Sequence, residues 1–223
     1  MQIKQRLINL KSALPPNVTL VAVSKLHPVE VLREAYDAGQ RIFGENRVPE
    51  IVAKYPLLPS DIQWHFVGTL QTNKVKYIAP FIDTIQSIDS LKLLREVNRQ
   101  AAKFNRRIRV FLEVHIAEEM TKHGFDTSEC LNLFLENKLD AFQHVIVSGL
   151  MGMATFTDDT EQIQHEFQTL KGLFDTIKRS GKVGDSFSEL SMGMSDDYPI
   201  AIRNGSTMIR VGTLIFGQRE YSI

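Results

Sequence analysis

Lys25 is the first residue of this sequence whose position suggests chemistry. It directly follows the apolar run TLVAVS, so its amine lies at the end of a predicted buried strand. Loss of water around an amine disfavours the charged form, and a neutral lysine amine can form a Schiff base with an aldehyde. Lys25 is therefore a candidate attachment point for an aldehyde. The plainer interpretation is a solvated lysine at a strand end.

Two loops near the C-terminal end of the sequence are suited to binding an anion. The loop SMGMS ends at Ser195, a good N-cap for a helix that we expect to begin at Asp196, with Pro199 in its first turn. Backbone N–H groups in a first turn lack intrahelical partners and can face an oxyanion. The loop RVGT adds Gly212, which permits close backbone approach, and Thr213, a hydroxyl donor. Either loop alone is an ordinary turn, but the two together predict a phosphate site.

Two aspartates set a condition on this phosphate site. Asp196 and Asp197 lie in the same predicted first turn. A carboxylate that pointed at the loop would repel a phosphate, because like charges at short range disfavour each other. Both side chains must therefore point outward if this loop binds a phosphate.

Few other residues could take part in acid–base or metal chemistry. His27, two residues after Lys25, could move a proton, whereas His65 lies inside a predicted strand and is more typical of a core histidine. The six histidines are scattered and no cluster has metal-ligand spacing. Cys130, the only cysteine, is predicted to be an ordinary helix residue. The sequence predicts no metal site.

The elements that would position these residues alternate along the chain. Apolar, β-branched runs typical of strands are separated by amphipathic stretches of helical period. Strands are predicted at residues 19–23, 41–43, 63–67, 82–85, 108–116, 144–150, 188–190 and 207–211. Helical stretches include residues 28–38, 47–54, 90–105, 128–137 and 160–180, and one more precedes the first strand.

This alternation predicts an α/β fold, a single-domain (β/α)8 barrel of the TIM type over residues 1–223 with an extra N-terminal helix. The runs TLVAV and HVIVSGL are almost wholly apolar, as expected of parallel strands covered on both faces. A doubly wound open sheet is the alternative, but VAVSKLHP lacks the Gly-rich turn that it needs after the first strand. Ligands bind where barrel strands end. On that rim we place the segments that follow the strands, among them GEN at residues 44–46 and QSID at residues 86–89.

Composition excludes several function classes. Lys+Arg and Asp+Glu both number 26, and the zero net charge argues against broad binding to nucleic acid or membrane surfaces. No apolar stretch is long enough to span a bilayer, and the charged N-terminus is not a signal peptide. We expect a cytoplasmic monomer with no nucleic-acid or membrane partner.

Five motifs taken together are more specific. VAVSK, FGEN, HFVGTLQTNK, LSMGMSDD and GSTMIRVGTLIFG occur in this order from the first strand to the last. The combination resembles the pyridoxal phosphate homeostasis protein family, whose fold is a single barrel similar to the N-terminal domain of bacterial alanine racemase. The resemblance implies the cofactor pyridoxal 5'-phosphate (PLP), held as a Schiff base on the lysine that corresponds to Lys25.

The resemblance also implies roles for other residues. In the family, the phosphate is held by the loops that match Met194–Ser195 and Gly212–Thr213, and the arginine matching Arg210 lies near the pyridine nitrogen. The asparagine matching Asn46 lies near the ring. Family members commonly have FGENYVQE where this chain has FGENRVPE. The segment EVHIAEEMTKHG falls where the family has a loop over the cofactor, so we interpret it as a lid.

Arg210 bears on what PLP could do at such a site. PLP is a strong electron sink when its pyridine nitrogen is protonated, and a guanidinium at that nitrogen disfavours the proton. Racemisation also needs acid–base groups on both faces of the substrate carbon, and in alanine racemase the opposing tyrosine comes from a second domain, as the resemblance implies. We therefore expect a protein of intracellular PLP homeostasis without committed catalysis, with PLP-accepting apo-enzymes as candidate partners. The alternatives are a PLP-dependent amino-acid racemase or eliminase and a cofactor-free class I aldolase.

Overall fold

Eight parallel strands form a closed barrel in the computed structural model, which describes residues 2–118 and 123–218. Each strand pairs with the next along the chain, and the last pairs with the first. The strands are β1 (Thr19–Val23), β2 (Ile42–Glu45), β3 (Gln63–Phe66), β4 (Thr84–Ile88), β5 (Ile108–Glu113), β6 (Val145–Met151), β7 (Glu189–Ser191) and β8 (Met208–Val211). The predicted (β/α)8 fold is confirmed.

Helices surround this barrel and follow the strands in turn. They are α1 (Ile3–Ala13), α2 (Val29–Asp37), α3 (Val48–Lys54), α4 (Val75–Ile78), α5 (Leu91–Lys103), α6 (Thr127–Leu135), α7 (Thr160–Arg179), α8 (Tyr198–Arg203) and α9 (Thr213–Phe216). The predicted extra N-terminal helix is α1, which packs against α2 and α9. Within the two described ranges, none of the helices is long and apolar enough to cross a bilayer.

The hydrophobic core has two parts. The larger lies between the sheet and the helices and includes Phe43, Trp64 and Phe66. A smaller cluster of Val21, Phe111, Met151 and Met208 brings together side chains from four strands. Because strand side chains alternate between faces, Arg210 points to the same side of the sheet as Met208, two residues earlier. The polar residues of the candidate site therefore lie above this small apolar cluster.

Two strands, β2 and β4, extend two or three residues further toward the rim than the sequence predicts. β2 continues through Glu45, which pairs with Phe66 of β3, and β4 occupies residues 84–88 instead of 82–85. Both additions carry polar residues, Glu45 and Gln86, whose partners come from other elements. The sequence predicts rim loops for both residues, because local sequence does not reveal those partners. In the structure both are buried.

Candidate functional site

Lys25 lies half-buried just beyond the end of β1, in a turn whose backbone is held on both sides. The N–H of Ser24 donates to the carbonyl of Gly44 at 2.9 Å. The N–H of Leu26 donates to Oε2 of Glu50 at 2.8 Å. Leu26 has a φ of 67°, a left-handed conformation that costs a side-chain-bearing residue about 1 kcal/mol. The chain therefore turns sharply straight after Lys25.

Closure of the barrel brings this lysine turn beside the end of β8. Val21 pairs with Arg210, and Ala22 pairs with Val211. A Cβ placed on Gly212 would come within 2.8 Å of the carbonyl oxygen of Val23, so the backbone after β8 lies directly against the end of β1. Lys25 and the Gly212–Thr213 turn thus share one part of the rim.

The guanidinium of Arg210 is buried and held by backbone carbonyls. Nη1 donates to the carbonyl and to Oγ of Ser191, at 2.9 and 2.7 Å, and Nη2 donates to the carbonyl of Gly152 at 3.0 Å. Burial lowers the pKa of Arg210 to about 10, against the attraction of Asp197 and Glu113. Arg210 stays charged at neutral pH, and its hydrogen bonds fix the direction of that charge.

A chain of buried hydrogen bonds continues from Arg210 across the barrel interior. Oγ of Ser191 donates to Oε1 of Gln86 at 2.7 Å, and Nε2 of Gln86 lies 2.8 Å from Nδ1 of His65. The pKa of His65 falls to about 4, mainly through burial, so the ring is neutral. Because Gln86 donates, Nδ1 is the acceptor and His65 carries its proton on Nε2. The prediction that His65 is a core histidine is confirmed.

Asn46 follows β2 at the same rim and is half-buried. Its Oδ1 is buried, and no hydrogen-bond partner for it exists in the part of the chain that the structure describes. A Cβ on Gly68 would lie 2.5 Å from the carbonyl of Asn46, so only glycine fits beside it. An unpaired buried acceptor costs free energy unless a ligand or water supplies a donor. Oδ1 of Asn46 can therefore accept a hydrogen bond from a ligand or a water molecule.

The loop between β7 and α8 differs from its prediction. α8 begins at Tyr198, and its N-cap is Asp197, not Ser195, whereas Pro199 does lie in the first turn. Gly193 has a φ of 97°, and a Cβ there would approach Cβ of Ala201 to 2.6 Å. Close packing of this loop on α8 therefore requires glycine. Ser195 is half-buried in the turn that precedes the helix.

Asp197 corrects the expectation that both aspartates point outward. Asp196 is exposed, but Asp197 is buried and its Oδ1 accepts a hydrogen bond from the N–H of Met194 at 2.5 Å. The helix begins two residues later than predicted, which turns Asp197 back over the loop. In the loop predicted to bind phosphate, the N–H of Met194 is thus already hydrogen-bonded to a carboxylate.

Two cavities open on the β5–β7 side of the barrel mouth and meet at this loop. The larger, of about 520 Å3, is lined by Met194, Asp196 and Asp197 together with Phe156. The smaller, of about 190 Å3, is lined by Glu113 and also reaches Met194. Lys25 lines neither cavity. The two cavities beside this loop therefore lie away from Lys25, on the β5–β7 side of the barrel mouth.

Several other predicted residues lie apart from this arrangement. The ring of His27 packs against Phe216, with centroids 4.9 Å apart. Cys130 is buried in α6, and burial raises the pKa of its thiol to about 12, as suits a residue without a chemical role. Of the predicted lid, residues 119–122 lie outside the described residues, so the lid stays a prediction. No group of three metal-ligating side chains occurs in residues 2–118 and 123–218.

Sequence reasoning missed two buried carboxyl groups at the rim. Glu113 ends β5, and burial and Asp89 raise its pKa to about 7 while Arg210 and His123 lower it. Glu45 ends β2, and burial raises its pKa to about 7 in spite of the attraction of Lys54. The sequence feature that could have indicated them is the same in both strands. An acidic residue ends each apolar run, IFGE and IRVFLE.

Similarity to known proteins agrees with this geometry. A family model described as alanine racemase, N-terminal domain, matches residues 1–220. The pyridoxal phosphate homeostasis protein of Aquifex aeolicus (strain VF5) is 40% identical over 203 residues, which make up 91% of this chain and 87% of that protein. The chain belongs to the pyridoxal phosphate homeostasis protein family.

Other members of the homeostasis family are similar over comparable lengths. The pyridoxal phosphate homeostasis protein of Schizosaccharomyces pombe (strain 972 / ATCC 24843) is 40% identical over 212 residues, 94% of this chain and 87% of that protein. Among solved structures, PipY of Synechococcus elongatus PCC7942 with PLP bound has 38% sequence identity and a TM-score of 0.88. That similarity covers 97% of this chain and 100% of PipY. The family resemblance read from the five motifs is confirmed.

Proposed function

We propose that this protein serves intracellular PLP homeostasis by holding PLP as a Schiff base on Lys25. The observation that carries the proposal is the β1–β8 neighbourhood, where the Gly212 backbone lies against Val23, two residues before Lys25, and Arg210 is held charged inside the barrel. PipY, which is similar to this chain in sequence and fold, has a solved structure with PLP bound. The aldehyde of PLP supplies the reacting carbon, and Lys25 supplies the amine.

The remaining contacts are proposed from the rim residues. Ser195 and Thr213 offer hydroxyl donors to the phosphate, and the Gly212–Thr213 backbone allows its close approach. Met194 contributes its backbone amide once Asp197 releases it. Arg210 faces the pyridine nitrogen, and Asn46 supplies the polar side chain near the ring. The unpaired Oδ1 of Asn46 supports a ligand that carries a donor.

The visible absorption spectrum of the purified protein tests this proposal. With PLP added, the wild type should show the absorbance of a Schiff base near neutral pH, and Lys25→Ala should show only that of free PLP. A Lys92→Ala variant is the matched control, since Lys92 is exposed on α5. A spectrum that is the same for the wild type and Lys25→Ala would reject the attachment point.

Arg210 supports holding over catalysis. Its charge persists at neutral pH because even the lowered pKa is about 10. A fixed positive charge at the pyridine nitrogen disfavours the protonated ring that stabilises a carbanion. The curated relatives are named for homeostasis of PLP, and we propose that this chain likewise carries PLP without committed turnover.

One observation favours a PLP-dependent amino-acid racemase as the second candidate. β5 is the fifth of eight strands in a closed barrel, so its end lies across the mouth from β1. Glu113 at that end has a pKa near 7 and could hold a proton on the side opposite Lys25. Racemisation predicts exchange of an amino acid's α-hydrogen in deuterated water over many turnovers, abolished in Glu113→Gln. Failure of exchange across a panel of amino acids would remove this candidate.

We further propose that residues 1–223 act as one PLP-binding domain, as a cytoplasmic monomer that passes PLP to apo-enzymes. A zero net charge supports freedom from nucleic-acid and membrane surfaces. Light scattering of the PLP-loaded protein tests the monomer. For transfer, the loaded protein is mixed with an apo-enzyme and a phosphatase that destroys free PLP. Reactivation that survives the phosphatase supports direct delivery, and reactivation that disappears contradicts it.

A further inference from the structure

Lys54 at the end of α3 is a buried lysine whose ammonium lies behind the Lys25 turn. Its side chain is only 8% exposed. Nζ donates to the backbone carbonyl of Ser24 at 3.0 Å, to Oε1 of Glu45 at 2.7 Å and to Oε2 of Glu50 at 3.2 Å. An ammonium has three protons, and these three acceptors use all of them.

The two carboxylates extend this contact to both neighbours of Lys25. Oε1 of Glu45 also accepts a hydrogen bond from Oγ of Ser24 at 2.6 Å. Oε2 of Glu50 accepts one from the N–H of Leu26 at 2.8 Å. Ser24 and Leu26 are therefore both tied to the charge on Lys54, one on each side of Lys25.

This arrangement contains two features that cost free energy, an unpaired buried oxygen and a strained backbone. Glu45 is fully buried, and its Oε2 has no hydrogen-bond partner within residues 2–118 and 123–218. Leu26 adopts a left-handed φ of 67°, a conformation that glycine would adopt without strain. Buried charge and strained backbone at one place more often mark a functional constraint than a gain in stability. Here both converge on the residues that flank Lys25.

We propose that Lys54, bridging Glu45 and Glu50, is a positioning residue that holds the 24–26 turn so that the amine of Lys25 reaches an aldehyde bound at the rim. The inference rests on the proposed attachment of PLP to Lys25. Lys54 itself takes no part in forming the bond. Its effect should appear in the covalent step and not in recognition of the phosphate and ring.

Two ligands separate these steps. PLP has the aldehyde, whereas 4-deoxypyridoxine 5'-phosphate has the same ring and phosphate but a methyl group in place of the aldehyde. In Lys54→Met, the affinity for the deoxy compound should stay within about twofold of the wild type. The affinity for PLP and the rate of borohydride-trappable attachment should fall about tenfold or more, the scale on which a misplaced reacting group is felt. Equal losses for both ligands, or no loss for either, would overturn the proposal.

Additional variants keep the test decisive if Lys54→Met folds poorly because it leaves the buried carboxyl group of Glu45 without its ammonium partner. Lys54→Met/Glu45→Gln removes the charge of both partners and should give the same selective loss for PLP. Lys54→Arg keeps the charge and should restore part of the attachment rate, and Lys92→Met is the matched surface control. If the wild type itself fails to attach PLP at Lys25, the proposed function fails. If the wild type attaches PLP and both Lys54→Met and Lys54→Met/Glu45→Gln match it, only the positioning role fails.

Discussion

Asp197 accepts a hydrogen bond from the backbone N–H of Met194 at 2.5 Å, inside the loop proposed to bind the phosphate of PLP. The carboxylate occupies an amide that an incoming phosphate would use, and its negative charge opposes the same phosphate. Asp197 also helps to keep Arg210 protonated, because its charge raises the pKa of that guanidinium. The Asp197 carboxylate and the phosphate of PLP would thus compete for the N–H of Met194.

Asp197→Asn should tighten the binding of PLP by about threefold to tenfold, because it removes one negative charge near the phosphate and leaves a weaker acceptor for Met194. Titration calorimetry at low and high salt measures the change, which should shrink as salt screens the charge. Asp196→Asn, at the exposed neighbour, is the control and should change affinity by less than about twofold. Weaker binding in Asp197→Asn would mean that the carboxylate shapes the loop and does not compete with the phosphate.

Ser191→Ala should destabilise the fold by about 1–3 kcal/mol. The hydroxyl both accepts from Arg210 and donates to Gln86, so its loss leaves Oε1 of Gln86 buried without that donor. Urea unfolding followed by fluorescence gives the free energy. Ser188→Ala, at an exposed position just before β7, should lie within about 0.5 kcal/mol of the wild type. Equal stabilities of the two variants would show that the Arg210–Gln86 link contributes nothing.

Glu45 should make the stability depend on pH between its ordinary and its folded pKa. Burial raises its pKa from 4.5 to about 7, so the fold favours the protonated carboxyl. This contribution is fully present below pH 4.5 and is lost as the pH rises through about 7. Relative to Glu45→Gln, which cannot ionise, the wild type should lose free energy of unfolding across that range. A constant difference between the two proteins from pH 4.5 to 8 would contradict the raised pKa.

His65 should remain neutral well below the pH at which an exposed histidine becomes charged. Burial lowers its pKa from 6.5 to about 4, so its contribution to stability is present above pH 6.5 and is lost as the pH falls through about 4. Nitrogen-15 NMR of the ring should show a proton on Nε2 and none on Nδ1 at pH 5.5. A protonated Nδ1 at that pH would show that Gln86 is not the donor in this hydrogen bond.

The sequence was sufficient to predict the barrel and the adjacency of the β1 and β8 ends, which carry Lys25 and Gly212. Parallel strands covered on both faces produce long apolar runs such as TLVAV, and eight of them with intervening helices leave few other folds. Once the barrel closes, β1 and β8 are neighbours by necessity, so the end of β1 meets Gly212 without any information on side-chain packing.

The polar interior was harder to predict, because its partners are distant in the chain. Gln86 in β4 depends on Ser191, 105 residues further along the chain, and Glu45 depends on Lys54 in α3. The first residue of α8 was predicted wrongly for a different reason. Ser195 and Asp197 are both good N-caps, and the hydrogen bond from Met194 to Asp197 selects the later one.

Borohydride reduction of the PLP-loaded protein, followed by mass mapping of its peptides, tests the central claim most directly. Reduction fixes a Schiff base as a stable secondary amine on the lysine that formed it. We predict that the pyridoxyl phosphate mass is found on the peptide that contains Lys25 in the wild type and is lost from the protein in Lys25→Ala. An unmodified Lys25 peptide, or a label carried by another lysine in the wild type, would contradict the account.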